Sequence, residues 1–366
     1  MKNNQLRKLL DVVLVPVLAV LSGLVLMGFL ILFLEKPLFE SYTTIFSKGF
    51  GCAAYGNCMF ITTLERATPV ILTGLSSVVA FRSGMFSIGQ EGQFVMGAAA
   101  AAWLGYSIHL PSIMHPLVLM VAAMLVGAVY GWFPGYLKVN LGVNELLSTI
   151  LLNSIATLVL EYLVQFPMRV DRSTVAHSPV IDQSAKLIAF LPGSKWGVGF
   201  VIAVINVIVV YIYLWRTKAG YEQRMAGQSR RFALFGGVHS DSAAVRAMII
   251  SGALAGLAGS IEVMGVHHRI MTGFSSGLGY DGLTAAILGQ THPFGVFIVS
   301  ILFSGIKMGA QLGLQLKLGI PRELGGTIIG FIILFVAAEN FYLSGIARVR
   351  DWVARRRSSS AVVESH

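Results

Sequence analysis

Residues 12–34 read "VVLVPVLAVLSGLVLMGFLILFL", an apolar run without one charged side chain. A helix needs about 20 such residues to cross the hydrocarbon layer of a bilayer. Inside that layer the backbone must pair with itself, which leaves only helices or closed barrels. The run exceeds the roughly 7–15 residues of a signal-peptide core. No small-residue cleavage site follows it, so it is expected to remain in the protein. Apolar runs recur near residues 61–81, 88–106, 117–137, 146–166, 197–215, 247–267, 280–290, 294–312 and 324–344, of which 280–290 is too short to cross alone. Only 12% of the chain is charged, about half the share of a soluble domain, and the mean hydropathy is +0.74. The expectation is an all-α integral membrane protein of about ten transmembrane segments, forming a single polytopic domain over residues 1–366.

The formal net charge is +10, and the basic residues lie between the apolar runs: Lys2, Arg7 and Lys8, then Arg216 to Arg246, then Arg348 to Arg357. Cytoplasmic loops carry such an excess of Lys and Arg. Ten passes place both basic termini on the cytoplasmic side, with the 346–366 tail, the Arg82 and Lys138 turns and the 216–246 loop. The 167–196 loop, with Arg169, Arg172, Lys186 and Lys195, falls outside by the same count. The 216–246 loop is the more basic of the two. Nucleic acid is not an expected partner, because a nucleic-acid reader shows a basic soluble module. The segment "GCAAYGNC" holds Cys52 and Cys58 on the expected outer side, where a disulfide persists. The alternative is a pair of free thiols, since spacing does not fix geometry. Two ligands with no nearby histidine make no zinc site.

Residues 81–94, "FRSGMFSIGQEGQF", place three glycines, two glutamines and a carboxylate at the mouth of an alanine-rich apolar run. A second copy follows: "IGQEGQ" (88–93) matches "LGYDGL" (278–283) as apolar, glycine, polar or aromatic, acid, glycine. In the span count the first enters a helix running outward and the second a helix running inward. Two inverted five-helix halves, a layout common in transporters, are therefore expected, with broken or short helices near residues 82–92 and 278–293. A broken helix at membrane depth is tolerated where protein buries it or where it lines a cavity. Two roles stay open for Gly89, Gln90, Glu91, Gly92 and Gln93, and for Gly279, Tyr280, Asp281 and Gly282. They either cap and fix the kinks or line a substrate path.

No G-x-x-x-x-G-K-[ST] phosphate loop or H-E-x-x-H pair occurs, so the chain is not expected to be an enzyme or to hold a metal. His267 and His268 are adjacent and share no helix face. Glu161, Glu262, Lys307 and Glu339 fall toward span ends, where polar tips reach water. An ion-coupled secondary transporter, the rival expectation, would place a titrating carboxylate nearer the midplane. The 216–246 loop is long for a helix connection, and Gly220, Tyr221, Glu222, Arg224, Met225, Gly227 and Phe232 are its candidate docking residues.

Four stretches carry a resemblance: "GLSSVVAFRSGMFSIGQEGQFVMGAAAAAWLG", "GYEQRMAGQSRRFALFGG", "MIISGALAGLAGSIEVMG" and "GYDGLTAAILGQTHPFG". Over residues 60–345 the chain resembles permease subunits of bacterial ABC importers, in the simple-sugar and nucleoside group related to ribose and branched-chain amino acid permeases. It departs from the family pattern at Ser87, at "GQTHPFG" (289–295) and at "GQSRRFALFGG" (227–237), where asparagine or asparagine-proline is usual. The resemblance implies a second, paralogous permease subunit, an ATP-binding subunit that carries ATP and Mg, and an extracytoplasmic substrate-binding lipoprotein. It also implies alternating access in the bacterial cytoplasmic membrane, with the 216–246 loop coupled to the ATPase.

Overall fold

The computed structural model describes residues 35–52, 58–170, 174–274 and 276–319, with isolated positions 25, 28, 29, 31–33 and 330. The expected span at 324–344, most of that at 12–34, Arg172, Glu339 and the 346–366 tail lie outside the described residues. The chain divides into two compact units, one of Met1–Gly49 with Ile306–His366, the other of Phe50–Gly305. The described residues form helices and isolated bridges, with no strands.

In the first unit, helix α1 (Leu38–Phe50) meets a π-helical turn at Gly309–Gly313, where a Cβ on Gly309 would fall against the Ile45 carbonyl. Lys317 pairs with Glu40 at 3.0 Å.

The second unit carries the rest: α2 (Met59–Phe81), α3 (Gln90–Ser107), α4 (Met114–Leu141), α5 (Glu145–Gln165), α6 (Val198–Arg216), α7 (Lys218–Gln228), α8 (Arg230–Phe235), α9 (Ser240–Glu262) and α10 (Leu278–Leu288). Helix α11 (Pro293–Met308) follows and runs past the unit's end. Six helical stretches among the described residues are long and apolar enough to cross a membrane: 59–81, 114–141, 145–165, 198–216, 240–267 and 293–317. Helix α10, with 11 residues, is short, as the sequence suggests. Helices α4, α5 and α6 turn Leu, Val and Ile outward, among them Leu125, Leu158 and Ile208. That suits a face toward lipid, not water.

The core is built on α9, which packs against α2, α3 and α4. The sequence makes this possible with small residues four apart, Gly127, Gly131 and Gly135 on α4 and Gly252 and Gly256 on α9. A Cβ on Gly252 would fall on the Gly127 carbonyl, and one on Gly127 would reach the Gly252 carbonyl. Small residues let two backbones touch where lipid supplies no hydrophobic drive for packing. At one end of the unit residues 174–197 fold back over the bundle. Asp182 N–H donates to the Gly105 carbonyl (2.8 Å) and Ser178 N–H to the Ile270 carbonyl (2.8 Å).

Glu262 does not reach water as expected for a span end. It is 7% exposed and pairs with His267 across 3.3 Å, because α9 continues as a π turn at Val263–His267 that brings the two side chains together. The 216–246 segment is also more ordered than a loop. Thr217 and Ser229 cap α7 and α8 through their hydroxyls, and Ser240–Arg246 already belongs to α9.

Candidate functional site

The two matched motifs meet. Helix α3 begins at Gln90 and α10 at Leu278, and Gly279 N–H donates to Glu91 Oε2 at 2.7 Å in a buried contact. A carboxylate at a helix N-terminus accepts from backbone amides left without an intrahelical partner. Here the acid of the first motif serves the helix of the second. Only glycine fits at 279, because a Cβ there would sit on the Glu91 backbone. Gly282 presses α10 onto α2 in the same way, against Thr73, whose hydroxyl donates to the Leu278 carbonyl at 3.1 Å.

Helix α5 closes the break that precedes α3. Asn153 Nδ2 donates to the Ile88 carbonyl (2.8 Å) and the Tyr280 hydroxyl (3.2 Å), while its Oδ1 accepts from Gly92 N–H (2.8 Å). Thr149 Oγ1 accepts from Ile88 N–H at 3.3 Å. Ser87 Oγ accepts from the N–H of Gly89, the cap of α3, at 3.2 Å. Sequence reasoning missed Thr149 and Asn153, because polar residues one turn apart on an apolar helix have no visible target until the break is placed beside them.

Two members of the motif are left over. Gln90 is 0% and Gln93 1% exposed, and among the described residues neither the oxygen nor the nitrogen of either amide has a hydrogen-bond partner. A buried polar group without a partner costs about 1–3 kcal/mol. The motif is thus divided: Glu91, Gly92 and Gly279 hold the helices together, and the two glutamines do not. Asp281 is half-buried in the first turn of α10, and Tyr280 is 43% exposed beside Asn153.

The candidate docking residues divide as well. Gly220 lies against the backbone of Tyr213 and Leu214, and Gly227 against Arg82–Gly84. Glu222 pairs with Arg246 of α9 at 3.1 Å. Gln223, absent from the sequence-derived set, is buried and donates to the Val79 carbonyl at 2.6 Å while accepting from the Tyr213 hydroxyl at 2.9 Å. These contacts fix α7 to α2, α6 and α9. Met225 is half-buried. Tyr221 and Phe232 are exposed, and so are Leu234 and Phe235, the last at 92%. The short run "RRFALF" conceals that apolar knob, since six residues are too few to show a helical period. Cys52 and Cys58 are bonded to one another.

The model of the family described as branched-chain amino acid transport system / permease component matches residues 59–337, which include both helix starts and α7–α8. The chain belongs to this permease family. It is a membrane transport subunit, not an enzyme. The permease is 30% identical to a guanosine ABC transporter permease of Bacillus subtilis (strain 168) over 91% of its own length and 95% of the relative's. It is 29% identical to a nucleoside ABC transporter permease of Lactococcus lactis subsp. cremoris, covering 92% and 93% of the two chains. A glucose ABC transporter permease of Haloferax volcanii matches at 26% over 89% and 87%. No solved structure matches the permease.

Proposed function

We propose that the permease moves nucleosides or related simple sugars inward across a bacterial cytoplasmic membrane by alternating access, as the membrane subunit of an ABC importer. The observation that carries this is the near full-length likeness to the guanosine permease. An ATP-binding subunit holds ATP and Mg and supplies the bias between access states, as a population shift requires. A second, paralogous permease completes the pathway, and an extracytoplasmic lipoprotein delivers the substrate. The chain acts as one polytopic domain over residues 1–366, with ten spans in two inverted halves that meet where α3 and α10 start. Both termini and α7–α8 face the cytoplasm, and the Cys52–Cys58 loop faces outward.

Within this scheme Gly89–Gln93 and Gly279–Gly282 border the path. Gln90 and Gln93 face the substrate when α3 and α10 part. A glutamine side chain offers two donors and an acceptor, which suits sugar hydroxyls and base edges. The uncommitted amides support this role, and the committed Glu91 supports a structural one.

The test pairs uptake with stability. Gln93→Leu removes a buried amide at similar volume, so the unfolding temperature should hold or rise. Uptake of labelled guanosine by cells carrying the whole importer should fall roughly tenfold, the equivalent of one lost hydrogen bond. Unlabelled guanosine should compete better than glucose. Normal uptake in well-folded Gln90→Leu and Gln93→Leu variants would remove the glutamines from the path.

A further inference from the structure

At the end of the second unit where α2 and α6 finish, two arginines gather on one indole. The Arg82 guanidinium lies 5.3 Å from the centroid of Trp215, and that of Arg224 lies 5.5 Å from it. Arg82 comes from the cap of α2, Trp215 from the last turn of α6 and Arg224 from α7. His292, from the turn between α10 and α11, lies tilted against the same indole, ring centroids 4.9 Å apart. An aromatic face attracts one cation, but two guanidiniums on the same ring repel each other. Burial first and then the Arg224 charge press the Arg82 pKa downward. Burial and then Arg82 do the same to His292.

No carboxylate among the described residues pairs with either arginine. The nearby acid, Glu222, is bound to Arg246. Arg82 spends Nε on the Thr291 carbonyl (3.0 Å) and Nη2 on the Gln290 carbonyl (3.4 Å). Arg224 makes no hydrogen bond to a described residue, and its Nε is buried without a partner. Arg224 as a whole is half-buried, and a buried N–H donor left without an acceptor is unfavourable. A guanidinium takes a phosphate through paired N–H donors.

We propose that Arg224 and Arg82, on the face of Trp215, form a binding site for one phosphate-type anion, carried by the headgroup of an anionic membrane lipid. The lipid source follows from position. The cluster sits at the ends of two apolar helices, inside a group of aromatic side chains that also contains Tyr211 and Phe294. Aromatic residues of this kind mark the headgroup level of a membrane. The site joins α2, α6, α7 and the α10–α11 turn, so a bound headgroup would tie α7 to the spans.

Full-length permease in nanodiscs tests this without any transport assay. With phosphatidylglycerol in place of part of the phosphatidylcholine, the wild type should unfold at a higher temperature. Native mass spectrometry should then show one retained phosphatidylglycerol. Arg224→Gln should weaken that retention roughly tenfold, as for one charge-assisted bond lost, and Arg224→Lys should restore part of it. Arg231→Gln, an exposed arginine on α8, is the control and should change nothing. Stabilisation by inorganic phosphate in pure phosphatidylcholine nanodiscs, lost in Arg224→Gln, would overturn the lipid source and assign the site to the free anion. Equal loss in Arg231→Gln and Arg224→Gln, or no loss in either, would overturn the site itself. If Arg224→Gln fails to fold, the Arg224→Lys and Arg231→Gln comparison decides alone.

Discussion

Glu91 and its neighbours Gln90 and Gln93 have similar side chains and opposite positions in the accounting of hydrogen bonds. The carboxylate closes the start of another helix, and the amides close nothing. The sequence showed that this stretch was special, but it could not divide the labour. That division depends on Gly279, 188 residues away along the chain. Replacing Glu91 with Ala should lower stability by about 1–3 kcal/mol, because the buried Gly279 N–H then loses its acceptor. Glu91→Gln, which keeps an acceptor, should lose less; chemical or thermal unfolding in detergent measures both. Two histidines outside the spans give a pH dependence. Burial first, then Lys186 and Lys195, lower the His268 pKa, and burial and Arg82 lower that of His292. The folded state thus binds fewer protons than the unfolded chain just below the ordinary imidazole value of 6.5. Stability should be full above that value and fall as pH drops through it toward the lower folded values. Unfolding temperatures between pH 8 and pH 5 should show this slope, and His292→Gln with His268→Asn should flatten it.

At the level of elements, the apolar runs in the middle of the chain could be read directly, because lipid-facing helices announce themselves by composition. Helix α9 was legible as a span, but its place at the centre of the bundle was not. That place rests on glycines spaced for α4, and spacing of this kind signals a partner without naming it. Gly252→Leu should therefore cost about 1–3 kcal/mol or more through overpacking, seen as loss of monodisperse protein on size exclusion. Leu254, two residues further on and 5% exposed, should tolerate Met as a volume-conserving swap. The α7–α8 arm was legible as a long connection with a purpose. Its glycines and Gln223 proved to be attachments, and besides Tyr221 its exposed apolar side chains lie on α8, at Phe232, Leu234 and Phe235. Phe235→Asp should leave the unfolding temperature within about 0.5 kcal/mol equivalent of the wild type, as for exposed sites. Co-purification of the ATP-binding subunit should drop sharply. Undiminished co-purification in Phe235→Asp and Phe232→Asp would place the docking surface elsewhere.

For the molecule as a whole, the family membership and the membrane character agree with what the helices of the second unit show: a bundle whose outer helices are apolar and whose inner helices meet at glycine contacts and broken starts. The central claim is that transport through this bundle is driven by ATP on a partner and not by an ion gradient through the chain itself. Proteoliposomes containing the permease with its second permease and ATP-binding subunit, with ATP at the α7–α8 side and the binding lipoprotein at the other, test it most directly. Accumulation of labelled guanosine should require ATP, stop when the ATP-binding subunit is omitted, and persist after protonophores and sodium ionophores are added. Accumulation by the permease alone, driven by a proton or sodium gradient and indifferent to ATP, would contradict the account.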